Sequence, residues 1–330
     1  MIIIINKKEK LWPDNNEIIE EYLYTFRNSK QSQNTRKSCL NYFFDKKYFG
    51  FENHVFEIGK QTLMNYRDYL NHLETISLST KKTKWTILRS FLTYVEDYYE
   101  EEYDIFFKFP KEKKWSTTHK EPESNTDVFL TIGEIKQVLD HLKRTNFKYY
   151  LIFRLFGESG LRKGGIINLD YDKVFLDERY VDTIEKNGRV VYYISEGLRD
   201  YLKIYLEERM LIETETKALF LSTHLKRFGI RAFNEYLNGY EKKDEKGIII
   251  WEKKGSLDNL EIDKKITCQV FRRSLNLLRF EMGCPEEIRR VLLNHSVLGV
   301  NFNNYVKKGL DYNKFLTFFD SWNPFKNIKF

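Results

Sequence analysis

A change of period divides this sequence. From Glu17 to Phe107 apolar residues recur at three- and four-residue spacing, whereas beyond residue 128 such stripes are interrupted by runs of β-branched and aromatic residues. Helical side chains share a face about every 3.6 residues and strand side chains every two, so one kind of element cannot serve both stretches. The first stretch predicts four amphipathic helices. Ile18, Ile19, Tyr22, Leu23 and Phe26 mark the first, Leu40, Phe43 and Phe44 the second, and Leu63, Tyr66, Leu70 and Leu73 the third. The fourth is long, buries Leu88, Phe91, Leu92 and Val95, and takes Ser79 as its N-cap. Such helices make a small bundle.

Residues 109–127 carry neither period. Pro110, Pro122, the lysines Lys111, Lys113 and Lys114 and a Ser/Thr/Asn/Glu-rich run read as a linker. The expected organisation is a helical domain over 1–110, a linker over 111–127 and a second domain over 128–330. In the second domain Thr131 and Glu134 have capping-box spacing ahead of Ile135, Val138, Leu139 and Leu142. A further helix runs through Tyr150, Ile152 and Leu155 and ends near Gly157 and Gly160. Three strand-like runs follow at 173–176, 180–184 and 190–194, the last two separated by Lys186-Asn187-Gly188-Arg189, in which Asn-Gly is a strong hairpin signal. The remainder reads as mainly helical with a polar, lysine-rich excursion from Glu241 to Lys265. The fold class expected is mainly α with a small β-sheet.

Composition excludes several classes. The chain has 330 residues and a net charge of +7, with 55 basic residues mixed among 48 acidic ones. That balance fits a nucleic-acid partner without demanding one. Three cysteines without a C-x-x-C pair and six scattered histidines argue against a zinc module or a disulfide framework, and for a reducing, cytoplasmic setting. The apolar run Met1–Ile5 is too short for a signal peptide and reads as a short strand, and no apolar run approaches membrane-spanning length.

Several local features carry charge at defined places. Arg162 follows the Gly160 turn, Lys186 sits at the hairpin, and Arg272, with Arg273 beside it, borders the stripe of Phe271, Leu275 and Leu278. A short helix after Gly283 begins with Pro285 in its first turn and closes at Asn294, a residue tolerated in a left-handed turn, just before His295. Tyr305 lies ten residues on. In the first half, Lys81, Lys82 and Lys84 at the start of the fourth helix, with Arg89 further on, suit phosphate contacts, because helix N-terminal amides and the helix dipole favour anions.

In order and spacing these segments resemble the catalytic domain of the tyrosine recombinases of the phage integrase type. Gly160-Leu161-Arg162 is similar to that family's first arginine box, Lys186 to its β-hairpin lysine, and Gln269-Val270-Phe271-Arg272 to its H-x-L-R box. Leu292-Leu293-Asn294-His295-Ser296 resembles its L-L-G-H-S segment and Asn304-Tyr305-Val306 its tyrosine box. The first half resembles the family's helical core-binding domain, where Leu78-Ser79-Thr80 leads to Leu88-Arg89-Ser90-Phe91.

The resemblance implies a site-specific recombinase or integrase that cuts and rejoins DNA through a 3′-phosphotyrosyl intermediate. Tyr305 is then the nucleophile, Lys186 the acid for the departing 5′-oxygen, and Arg162, Arg272 and His295 the groups that hold the phosphate. It implies double-stranded DNA bearing a specific site as partner, a homotetramer on paired sites, and neither metal nor cofactor. Lys81, Lys82, Lys84, Arg89, Lys111, Lys113, Lys114 and Arg273 are the expected DNA contacts. Three positions depart from the pattern. Gln269 replaces a histidine or lysine and cannot exchange a proton, leaving open what deprotonates Tyr305. Gly165 stands where many relatives carry an acid that braces the first arginine, and Asn294 replaces a glycine. Tyr312 is the rival nucleophile. The alternatives are a DNA-binding regulator built on a helix-turn-helix around Gly283, indifferent to Tyr305→Phe, and a catalytically impaired relative. A terminal helix after Phe315 docks either on a neighbouring protomer or on its own domain.

Overall fold

The computed structural model describes residues 12–111, 115, 128–185, 188–244, 248–295, 312–326 and 328. Its chain divides into two compact units, Met1–Ser124 and Asn125–Phe330.

The first unit holds α1 (Asn15–Tyr24), α2 (Lys30–Phe44), α3 (Lys60–His72) and α4 (Leu78–Tyr103). Ser77, two residues before the expected cap, closes the start of α4 by accepting from the Thr80 amide. Ser79 therefore lies inside the first turn. Ile18, Tyr22, Leu40, Phe43, Leu63, Tyr66, Leu70, Leu88, Phe91, Leu92 and Val95 form one core. The chain leaving α4 stays on this core. Phe107 is buried, Phe109 and Trp115 pack against it, and Trp115 meets Trp85 edge-on at 6.4 Å. Phe109 and Trp115 fall in the stretch that composition reads as a linker.

The second unit opens with α5 (Ile132–Thr145) and α6 (Phe147–Glu158). Thr131 and Glu134 cap α5 reciprocally, as their spacing predicts. Asn146 ends α5 and caps α6 through its side chain. The short α7 (Lys163–Asn168) leads into an antiparallel sheet of order β1 (Val174–Phe175), β2 (Tyr180–Glu185), β3 (Gly188–Tyr193). The β2–β3 register pairs Val181 with Tyr192 and Glu185 with Gly188. Then come α8 (Glu196–Met210), α9 (Ala232–Asn238), α10 (Cys268–Glu281), α11 (Glu286–Leu292) and α12 (Tyr312–Ser321). The polar excursion contains a second hairpin, β4 (Tyr240–Lys243) and β5 (Ile249–Lys253). Its lysines concealed the strand-forming run Ile248-Ile249-Ile250-Trp251, whose side chains stay exposed.

α6 and α10 form the centre of this unit, with Phe153 and Phe271 in ring contact at 5.4 Å. The terminal helix packs on its own chain. Phe319 is buried beside Tyr193, Arg179 grips Asp320 through both terminal nitrogens (3.0 and 2.5 Å), and Arg279 Nε donates to the Trp322 carbonyl. No described helix is long and apolar enough to cross a membrane.

Candidate active site

The site begins at a glycine. Gly160 adopts φ +73°, where a residue without Cβ is unstrained. A Cβ there would stand 2.5 Å from Leu293 Cδ2 and 3.1 Å from Leu275 Cδ2. The turn therefore lets α10 and the segment after α11 close onto the end of α6. Its carbonyl accepts a hydrogen bond from Nη1 of Arg272.

Arg272 lies on α10 next to Phe271 and is only 3% exposed. A buried guanidinium must find acceptors, since an unpaired charge in the interior costs several kcal/mol. Nη2 donates to the Leu293 carbonyl, and Nη1 also donates to the Tyr192 hydroxyl (3.2 Å). Burial draws the arginine's pKa below its ordinary value, and Tyr192 opposes that pull.

Arg162, half-buried, occupies the N-cap position of α7. Its backbone N–H donates to Glu185 Oε1 (2.9 Å) and its Nη1 pairs with Oε2 of the same carboxylate. Glu185 ends β2 with its side chain 2% exposed, and Oε1 also accepts from the Tyr192 hydroxyl (2.9 Å). Arg162, Glu185, Tyr192 and Arg272 thus form one continuous network, although the two arginines are 110 positions apart in the sequence.

His295 follows Asn294, whose φ of 49° is left-handed as its place in the turn predicts. Asn294 Nδ2 donates to the Val191 carbonyl (2.9 Å), fastening this turn to β3. Burial, and then the guanidiniums of Arg272, Arg162 and Arg290, push the His295 pKa down to about 4. The imidazole is therefore neutral at neutral pH and able to donate or accept a hydrogen bond beside two fixed cations. It lines a cleft of about 360 Å3 with Gln269, Arg272, Arg273, Asn276 and Arg289. Gln269 is exposed on the first turn of α10.

Arg162, Arg272 and His295 are therefore brought together, and Gln269 and Arg273 border the same cleft. Lys186, Tyr305, Lys113 and Lys114 lie outside the described residues, as does the run Met1–Ile5, and Tyr312 is the first residue of α12. In the helical unit Lys82 and Lys111 are exposed, and the Arg89 guanidinium lies 5.1 Å over the Phe109 ring. The expectation for Lys81 and Lys84 needs correction. Both are buried; Lys81 donates to the Asn71 carbonyl (2.9 Å), and the Lys84 ammonium sits 3.0 Å from the centre of the Tyr42 ring. Their positive charge is spent inside the bundle, so they do not form a phosphate-facing row with Lys82.

Sequence reading missed Glu185 and Tyr192. A signal for Glu185 existed. Strand side chains alternate, so Glu185 shares the face of Val181 and Thr183, while the apolar Ile184 between them is 61% exposed. An acid in the inward phase beside an outward isoleucine marks a carboxylate with a buried partner.

A probable integrase/recombinase protein of Methanocaldococcus jannaschii is 21% identical over 231 residues, covering 61% of this chain and 68% of the relative. The integrase of the Tn1549 transposon, solved in complex with transposon right end DNA, superposes with a TM-score of 0.59 at 11% identity, covering 91% of this chain and 97% of that one. The XerH site-specific recombinase bound to its difH substrate gives 0.57 at 16% identity over 92% and 83% of the two chains. A lambda integrase, solved as a tetramer bound to a Holliday junction, gives 0.56 at 12% identity over 86% and 77%. These likenesses establish the fold. The model of the phage integrase family matches residues 128–309, more than half the sequence and the whole stretch from α5 through Tyr305, so the chain belongs to that family.

Proposed function

We propose that this protein is a site-specific tyrosine recombinase that cuts and rejoins duplex DNA without an external energy source. The observation that carries this reading is the shared network of Arg162 and Arg272 beside a neutral His295. Transesterification at a phosphodiester gathers negative charge on the non-bridging oxygens, and cations held in place beforehand stabilise it without reorganisation. Arginine suits the task because its planar fork matches phosphate geometry and stays charged.

In this scheme the Tyr305 oxygen attacks phosphorus, the bond to the 5′-oxygen breaks, and that oxygen takes a proton from Lys186. The 3′-phosphotyrosyl link then reacts with a 5′-hydroxyl of the partner strand, which restores the phosphodiester and frees the phenol. Arg162 and Arg272 contact the phosphate, and His295 donates a hydrogen bond to it. The helical unit serves as the core-binding domain, with Lys82, Arg89, Lys111, Lys113 and Lys114 as DNA-contacting cations, and Arg273 contributes from the catalytic unit. Four protomers act on two sites, the arrangement for which the lambda integrase tetramer on a Holliday junction is the precedent. Cys39, Cys268 and Cys284 are free, buried thiols, in keeping with work on DNA in the reducing cytoplasm.

The test is incubation with nicked suicide DNA spanning the junction of the element that carries this sequence. A covalent protein–DNA adduct forms with the parent and is absent with Tyr305→Phe. An adduct that survives this change moves the nucleophile elsewhere, with Tyr312 next. Specific DNA binding without any adduct from the parent favours a non-cleaving relative.

A further inference from the structure

The carboxylate of Glu185 is the only anion in the network that joins the two arginines among the described residues. It is almost wholly inaccessible, yet each of its oxygens is used. Oε1 accepts from the Arg162 amide and the Tyr192 hydroxyl, and Oε2 meets the Arg162 guanidinium. The same Tyr192 hydroxyl accepts from Arg272. One side chain therefore touches the first arginine directly and the second through a single phenol. Opposite it stands Gly165, on α7. A Cβ at that position would lie 2.9 Å from Glu185 Oε1, 3.2 Å from Leu161 Cδ2 and 3.3 Å from Thr183 Cγ2. Thr183 Oγ1 donates to the Gly165 carbonyl (2.7 Å), holding α7 close against β2.

We propose that Glu185 is the positioning residue of this centre, aiming Arg162 directly and Arg272 through Tyr192, and that residue 165 is glycine because the Glu185 carboxylate fills the space its side chain would take. Three arguments converge. Two guanidiniums facing one small volume repel each other, and a buried anion between them offsets that repulsion. A guanidinium on a half-exposed side chain has many rotamers, and a carboxylate that holds both the Arg162 amide and its Nη1 restricts them before a phosphate arrives. Finally, Glu185 is the last residue of β2, and its carboxylate ties that end of the strand to the start of α7 through the Arg162 amide and to β3 through the Tyr192 hydroxyl. This inference rests on the recombinase reading, and the experiment separates the two.

The variants are Glu185→Ala, Glu185→Gln, and Glu185→Ala combined with Gly165→Asp. In the third, an acid carried on α7 enters the space that Oε1 vacates, with Leu161 and Thr183 giving way by a few tenths of an ångström. The rate of adduct formation on nicked suicide DNA should fall about 100-fold in Glu185→Ala, the cost expected for reactive groups misplaced by about 1 Å. It should fall less in Glu185→Gln, which keeps one acceptor, while DNA affinity stays within about threefold of the parent. The double variant should recover at least about tenfold of the lost rate. A second readout needs no substrate: in heteronuclear NMR of the arginine side chains, the Arg162 signals sharpened by its carboxylate broaden in Glu185→Ala and sharpen again in the double variant. Should Glu185→Ala fail to fold, Glu185→Gln decides by the same two readouts. Parent-like rates in Glu185→Gln and Glu185→Ala overturn the inference. So does a loss that the carboxylate at 165 does not restore, which would leave Glu185 a packing role only. A parent that forms no adduct refutes the recombinase reading instead, and the NMR comparison still decides the role of Glu185.

Discussion

Adding one methyl group at residue 160 tests the architecture behind the site. Gly160→Ala places a Cβ 2.5 Å from Leu293 Cδ2 and 3.1 Å from Leu275 Cδ2, where carbon atoms rest at roughly 3.5–4.0 Å. Both leucines are fully or almost fully buried, so neither has free space to retreat into. Overfilling such a core costs about 1–3 kcal/mol. The backbone adds to this, because φ is +73° and an L-residue there costs about 1–2 kcal/mol. The expected destabilisation of the catalytic unit is about 2–5 kcal/mol. The chain has two units, so bulk unfolding would blur the effect. Native-state hydrogen exchange of the α10 amides around Leu275 reads this unit alone. Their exchange should accelerate roughly 30-fold to a few thousandfold, at about tenfold per 1.4 kcal/mol. The Gly160 carbonyl also holds Arg272, so adduct formation should fall more steeply than the folded fraction does. An acceleration below about fivefold would show that the turn relaxes without strain and that glycine is not required there.

Three further outcomes follow from the same geometry. Asn294→Ala loses both the bond to Val191 and a residue tolerant of φ 49°, and should cost about 2 kcal/mol in native-state hydrogen exchange of the catalytic unit; Asn294→Gly relieves the strain and should cost about 1 kcal/mol or less by the same measurement. In the free protein His295 should titrate near pH 4 by NMR. Because its folded pKa is depressed, the unfolded chain binds more protons between about pH 4 and 6.5, so stability falls as pH drops through that window, and His295→Gln should flatten this slope; a midpoint near 6.5 would refute the joint influence of burial and the neighbouring guanidiniums. Lys84→Met should leave DNA affinity and its salt dependence unchanged and alter stability by less than about 1 kcal/mol, since an apolar side chain of similar length fills the place over Tyr42, whereas Lys82→Ala should reduce the salt slope; a fall in DNA affinity with Lys84→Met would return that residue to the phosphate-contacting set.

Local rules made much of this molecule legible. The capping box at Thr131, the pairing of the two strands on either side of residues 186 and 187 and the left-handed Asn294 each depend on neighbours within four residues, where spacing alone constrains the backbone. The β4–β5 hairpin escaped because its lysines and acids masked an isoleucine-rich strand that buries nothing. Lys81 and Lys84 were misplaced for a related reason. Their spacing says which way a side chain leaves α4, but only the packing of α3 and the Tyr42 ring against that face shows that the charge ends inside the bundle.

By itself the sequence determined that two arginines, a histidine and their order along the chain exist, and that glycine and asparagine turns flank them. Which anion joins those arginines was decided in three dimensions. Glu185, Tyr192 and Gly165 belong to three elements, and their relation is a matter of a carboxylate occupying the space of a missing Cβ. Helix and strand periods record which face a residue presents; they hold no information about what lies across from that face. Only the closure of α7, β2, β3 and α10 around one another supplies it.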